Sequence, residues 1–80
     1  MTQKVTKEVH ALIEAKIRGK RLKKLRVKAD ESVKETAYAV GVSESALRMY
    51  ETGQRIPRDE VKERFSNHFK KSIEFIFFTP

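Results

Sequence analysis

The stretch GVSESALRMYETGQRIP, running from Gly41 to Pro57, decides how this chain is read. Ser43 is a residue type that caps helix N-termini, because its hydroxyl can accept from an otherwise unpaired amide in the first turn. Gly53 is the type that ends a helix where the backbone turns left-handed. Between them, Glu44–Thr52 is predicted as a short helix with Leu47 and Tyr50 turned toward a core. Gly41 closes whatever precedes, and Val42 is placed to plug the turn from inside. The run raises a problem of its own: it carries two glutamates and a methionine on what looks like a working helix.

Immediately upstream, Ser32-x-x-Glu35 forms a capping box, in which serine and glutamate satisfy each other's exposed amides. It opens a helix over Val33–Val40. Two short helices joined by Ala39-Val40-Gly41-Val42-Ser43 make a helix-turn-helix pattern, with the small Ala37 letting them approach. Such a pair presents the N-terminal end of its second helix outward. That end can enter a DNA major groove, and its amides suit phosphate.

Further out, residues 4–28 have helical periodicity, with Val5, Val9, Leu12 and Ile13 continued by Leu22, Leu25 and Ala29. Gly19 interrupts this run at a cost of about 1 kcal/mol relative to alanine. The expectation is either one helix with a weak joint there or two helices meeting at it. On the C-terminal side, Pro57 marks the start of another helix, with Asp59, Glu60 and Glu63 near its positive end. Val61, Phe65 and Phe69 repeat at four-residue spacing as its buried stripe. Ser72 caps a last short helix, Ile73–Phe78. No alternating run or tight hairpin signal argues for strands. An all-α domain of about five helices is expected.

Eighty residues with no cysteine and 39% hydrophobic content must close by packing alone, near the lower limit for an unstapled core. The net charge is +7, unevenly placed. Residues 1–28 hold ten bases and two acids, residues 29–51 two bases and five acids, and residues 52–80 six bases and four acids. This asymmetry suits a polyanion such as nucleic acid; a solvated lysine face is the plainer alternative. No apolar run is long enough to span a bilayer and the N-terminus lacks signal-peptide features, so a cytoplasmic, nucleoid-associated protein is expected. An enzyme is not. His10 and His68 are far apart, no Gly-rich phosphate loop is present, and nothing calls for a metal, a cofactor or a small-molecule ligand.

From about Arg18 to Phe78 the chain resembles the xenobiotic-response-element family, the five-helix, lambda-repressor-like DNA-binding domains of phage Cro proteins and repressors. The resemblance rests on Leu22-x-x-Leu25-Arg26, Lys34-Glu35-x-Ala37, Gly41-Val42-Ser43, Glu51-x-Gly53 followed by Pro57, and Ser72-Ile73-Glu74, in family order and spacing. It implies residues 18–80 as the DNA-binding domain and residues 1–17 as a helical N-terminal extension, whose apolar stripe either packs on the domain or adds a dimer surface. Packing on the domain is the favoured expectation.

The same resemblance implies site residues. The family's buried ion pair falls on Arg26 and Glu51. For Glu51 alone, the other reading is a surface acid opposing the helix dipole. Base-reading positions fall on Glu44, Ser45 and Met49, with the cap Ser43 and with Arg48 nearer the backbone. A carboxylate can accept from cytosine N4, and a methionine can meet a thymine methyl. Equally, Glu44 can serve as a first-turn dipole residue and Met49 as packing. Lys34, Gln54, Arg55 and Arg58 fall where the family touches phosphate. Three positions depart from the family: Val33 stands for a common glutamine, Thr36 for a leucine and Lys70 for a glycine. The implied function is sequence-specific transcriptional regulation by a small Cro-like protein or repressor of a phage or mobile element. It would bind a pseudo-palindromic double-stranded operator as a homodimer joined through Phe75, Phe77 and Phe78. The alternative is a protein-interaction module, an antitoxin or anti-repressor using the same fold.

Overall fold

In a computed structural model, residues 7–79 are described, and all regular structure among them is helical. The helices are α1 (Lys7–Lys28), α2 (Val33–Val40), α3 (Glu44–Thr52), α4 (Asp59–Phe69) and α5 (Glu74–Phe78), the last wound as a π-helical turn. Val5, part of the expected N-terminal stripe, lies outside the described residues, as does the side chain of Leu12.

The local signals act as their chemistry requires. The Ser32 hydroxyl accepts from the Glu35 amide at 3.0 Å, while the Ser32 amide donates to the Glu35 carboxylate at 2.9 Å. Ser43 accepts from the Ala46 amide at 3.0 Å. Gly41 and Gly53 both take φ +77° and close α2 and α3 with left-handed caps. At the end of α4, Lys70 adopts φ +55°, so a side chain occupies a conformation that L-residues disfavour. Helix α4 itself begins at Asp59, with Arg58 as an N-cap that makes no side-chain hydrogen bond. Pro57 thus lies two residues before the first residue of the helix whose start it was expected to mark, and it is buried.

Gly19 turns out to be neither joint nor break. Helix α1 runs through it unbroken. A Cβ built on Gly19 would lie 2.5 Å from the carbonyl oxygens of both Tyr50 and Glu51. A Cβ on Gly53 would lie 2.7 Å from the Lys16 amide nitrogen. The two glycines therefore let α1 cross the C-terminal end of α3 with backbone against backbone.

Around this crossing the core gathers Leu22, Ala37, Val40, Leu47, Tyr50, Phe65, Ile76 and Phe77. Phe65 is its centre. It has no exposed surface, and its ring lies 6.1 Å from Tyr50, 6.1 Å from Phe77 and 6.4 Å from Phe69. Thr36 is fully buried, and its hydroxyl donates to Glu31 Oε1 at 2.6 Å. That bond removes the penalty of an unpaired buried hydroxyl.

One expectation needs correction. Phe77 is a core residue, 2% exposed, and so is not available to a partner surface. Burial against Phe65 takes it instead. On the N-terminal part of α1, Val9, Ile13 and Ile17 are half exposed, at 46%, 47% and 44%, and Ile13 and Ile17 border Phe78. Ala15, Gly19 and Leu22 of the same helix face inward.

Candidate nucleic-acid interface

The candidate surface is the outer face of α3 and its borders. Leu47, Tyr50 and Glu51 fix the inner face, which leaves Glu44, Ser45, Arg48 and Thr52 exposed on the outer one. Met49 is half-buried, at the margin between the two. Glu44 and Arg48, one turn apart, approach to 3.9 Å. Their charges partly offset each other, and both side chains remain largely solvated. The Thr52 hydroxyl donates back to the Arg48 carbonyl at 2.9 Å and so is used within the helix.

Behind this face, Arg26 of α1 anchors the end of α3. Its Nε donates to Glu51 Oε2 at 2.6 Å and its Nη2 to Glu51 Oε1 at 3.1 Å, a bidentate pair. The side chains are only 11% and 6% exposed. The hydrogen bond to Glu51 and that carboxylate's charge hold the Arg26 guanidinium even more firmly protonated than usual, outweighing burial. Arg26 also donates through Nη1 to the Glu31 carbonyl at 2.9 Å.

Sequence reasoning missed what continues from there. Glu31 Oε1 is shared between the Thr36 hydroxyl and His68 Nε2, the latter at 2.7 Å. Burial pushes the Glu31 carboxyl upward, but the bonds from Thr36 and His68, with the charges of His68 and Arg26, hold it below the ordinary carboxylate value. The chain Glu51–Arg26–Glu31–His68 thus ties the C-terminal end of α3 to the loop before α2 and to the end of α4. The acidic pair Asp30-Glu31 read as a simple break, and nothing in the spacing linked it to a histidine 37 residues away.

The remaining candidates divide between places. Lys34, Ser43 and Glu44 border one groove with the outer side of α2, where Tyr38 is 89% exposed. Arg48 borders a second groove together with Lys16, Lys20 and Lys23 of α1. Arg55 lines a small hollow beside Arg18 and Lys62, and Gln54 and Arg58 are exposed in the same connection between α3 and α4. Lys34 therefore lies beside the start of α3 and Arg48 on its exposed face, while Arg55 lies beyond its C-terminal end.

A family model for the helix-turn-helix domain matches residues 19–70. The chain belongs to that family. Helix-turn-helix domains are a double-stranded-DNA-binding architecture, in which the first helix of the pair crosses the backbone and the second enters the major groove. In this helix-turn-helix domain the pair is α2 and α3. No curated protein and no solved structure matches the chain. No helix among the described residues is long and apolar enough to cross a membrane.

Proposed function

We propose that the chain is a sequence-specific transcriptional regulator of the xenobiotic-response-element type, a small Cro-like protein or repressor of a phage or other mobile element. Its DNA-binding unit is residues 18–80, with residues 1–17 as an extension. The observation that carries this reading is the outer face of α3: exposed, flanked by cations, and braced from behind by the Arg26–Glu51 pair. A bidentate brace holds the helix in one orientation, which reading base edges demands.

Glu44, Ser45 and Met49 read bases, Glu44 by accepting from a cytosine amine and Met49 by contact with a thymine methyl. Ser43, Arg48, Lys34, Gln54, Arg55 and Arg58 meet the backbone and set affinity rather than preference. A homodimer on a pseudo-palindromic operator follows from two-fold symmetry, with half-sites about one helical turn apart. Its surface uses Phe75 and Phe78, which are 43% and 55% exposed, with Ile13 and Ile17 bordering Phe78.

Selection of operators from a random duplex library tests the reading. Enrichment of a symmetric motif is expected, and recovery of no motif overturns it. One observation favours a second reading, a protein-interaction module such as an antitoxin or anti-repressor: Tyr38 stands almost fully exposed in a groove of mixed charge. Binding to random duplex DNA separates the two, because only a DNA binder weakens steeply as salt rises.

A further inference from the structure

Three lysines of α1 have no part in the helix-turn-helix pair itself. Lys16, Lys20 and Lys23 follow one another at helical spacing, and all three are exposed. With Arg48, Glu51 and Thr52 of α3 they border a single groove. None of the three makes an ion pair among the described residues. The one acid in that groove, Glu51, is already neutralised by Arg26. The groove is thus a strip of unpaired positive charge lying directly beside the exposed face of α3.

Its position is fixed. The Gly19 and Gly53 approaches lock the α1 backbone onto the end of α3, so the lysine row cannot drift relative to that helix. From Lys16 to Lys23 the row extends about 10.5 Å along a rigid axis. Lysine suits phosphate, offering a compact charge on a stem long enough to bridge the remaining gap. Lys24 and Lys28 lie on the same helix but outside the groove shared with α3.

We propose that this row is a second DNA-backbone contact. When α3 enters the major groove, α1 lies along one of the strands bordering it, and Lys16, Lys20 and Lys23 each meet a phosphate. The inference rests on the DNA-binding reading above and adds to it an element outside the helix-turn-helix pair. Two consequences follow. The footprint is wider than the pair alone would cover, and part of the affinity is indifferent to sequence.

The test compares two charge-matched variants of the whole chain, Lys16→Gln/Lys23→Gln and Lys24→Gln/Lys28→Gln. Binding to a labelled random-sequence duplex is measured by fluorescence anisotropy across a sodium chloride series. Glutamine matches lysine in helix propensity, so equal helical content by circular dichroism is expected for both. Losing two phosphate contacts should lower the slope of log K against log salt by about 1.8 in the first variant, with less than half that change in the second. Lys20→Gln alone should lower it by about 0.9, which keeps the test open should a double variant fold poorly. Lys16→Arg/Lys23→Arg should retain the slope. Equal loss in the two double variants, with wild-type binding steeply salt-dependent, overturns the row and leaves only long-range attraction. Wild-type protein with no salt-dependent binding overturns the DNA-binding reading beneath it.

Discussion

Glu51 is a carboxylate at the C-terminal end of α3, where the helix dipole disfavours negative charge, and it is nonetheless buried. Only the two hydrogen bonds from Arg26 make that placement tolerable. Removing one partner strands the other charge, so Glu51→Ala or Arg26→Ala should each lose about 3–5 kcal/mol in urea denaturation. The double change to well-packed apolar residues should lose much less than the sum of the two. An additive result would show that the pair is not coupled. Glu31 offers a pH test. Its carboxyl is held below its ordinary value of 4.5, so its stabilisation is full above that value and fades as pH falls through the folded one. Glu31→Gln should therefore be less stable than wild type at about pH 5, and the gap should close on further acidification. A gap that widens toward acid would contradict the assignment. Neither Glu31 nor His68 was legible as a pair, because their contact depends on how α4 folds back, not on local spacing.

At the scale of helices, legibility follows the range of the interaction. The capping box at Ser32, the cap at Ser43 and the glycine stops at Gly41 and Gly53 act within five residues, and the sequence shows each of them. Gly19 acts across the molecule, and sequence alone allowed only a propensity argument, which pointed to a weak joint or to two helices meeting there. The structure reverses the meaning of that residue. Gly19→Ala gains about 1 kcal/mol in helix propensity. It also forces a methyl to within 2.5 Å of two backbone carbonyls that cannot rotate away. Overpacking against backbone should outweigh the gain by about 1–3 kcal/mol, seen as a lower melting temperature. A raised melting temperature would mean that α1 and α3 do not cross this closely. The exposed face of α3 was accessible in advance in part: helical spacing turns Leu47 and Tyr50 inward, whereas the inward placement of Glu51 came from the family resemblance. The half-burial of Met49 was not, since it depends on neighbours outside the helix.

The described chain is elongated, 46 × 24 × 23 Å, and α1 contributes most of its length. Helix α5 packs against the middle of α1. Arg21 of α1 donates to the carbonyls of Phe75 at 2.7 Å and Thr79 at 2.6 Å, which satisfies the open end of that short turn. Cations also stand over its rings: Arg18 at 5.6 Å and Lys62 at 4.9 Å from Phe78, and Arg21 at 5.5 Å from Phe75. The hydrophobic density of residues 73–78 suggests a partner surface for all its aromatics, but composition cannot say which ring turns inward. Phe77 does so, against Phe65, while Phe75 and Phe78 stay at the surface. The two classes should respond differently. Phe77→Ala should lose about 3–5 kcal/mol of monomer stability, because it empties core volume next to Phe65. Phe78→Glu should leave the fold nearly unchanged and shift sedimentation equilibrium toward monomer. It should also weaken binding to a two-half-site operator far more than to a single half-site. If Phe78→Glu still sediments as wild type and binds both targets equally well, the proposed homodimer does not form through Phe78, and the exposed Ile13 and Ile17 on α1 are next to be tested by the same substitution.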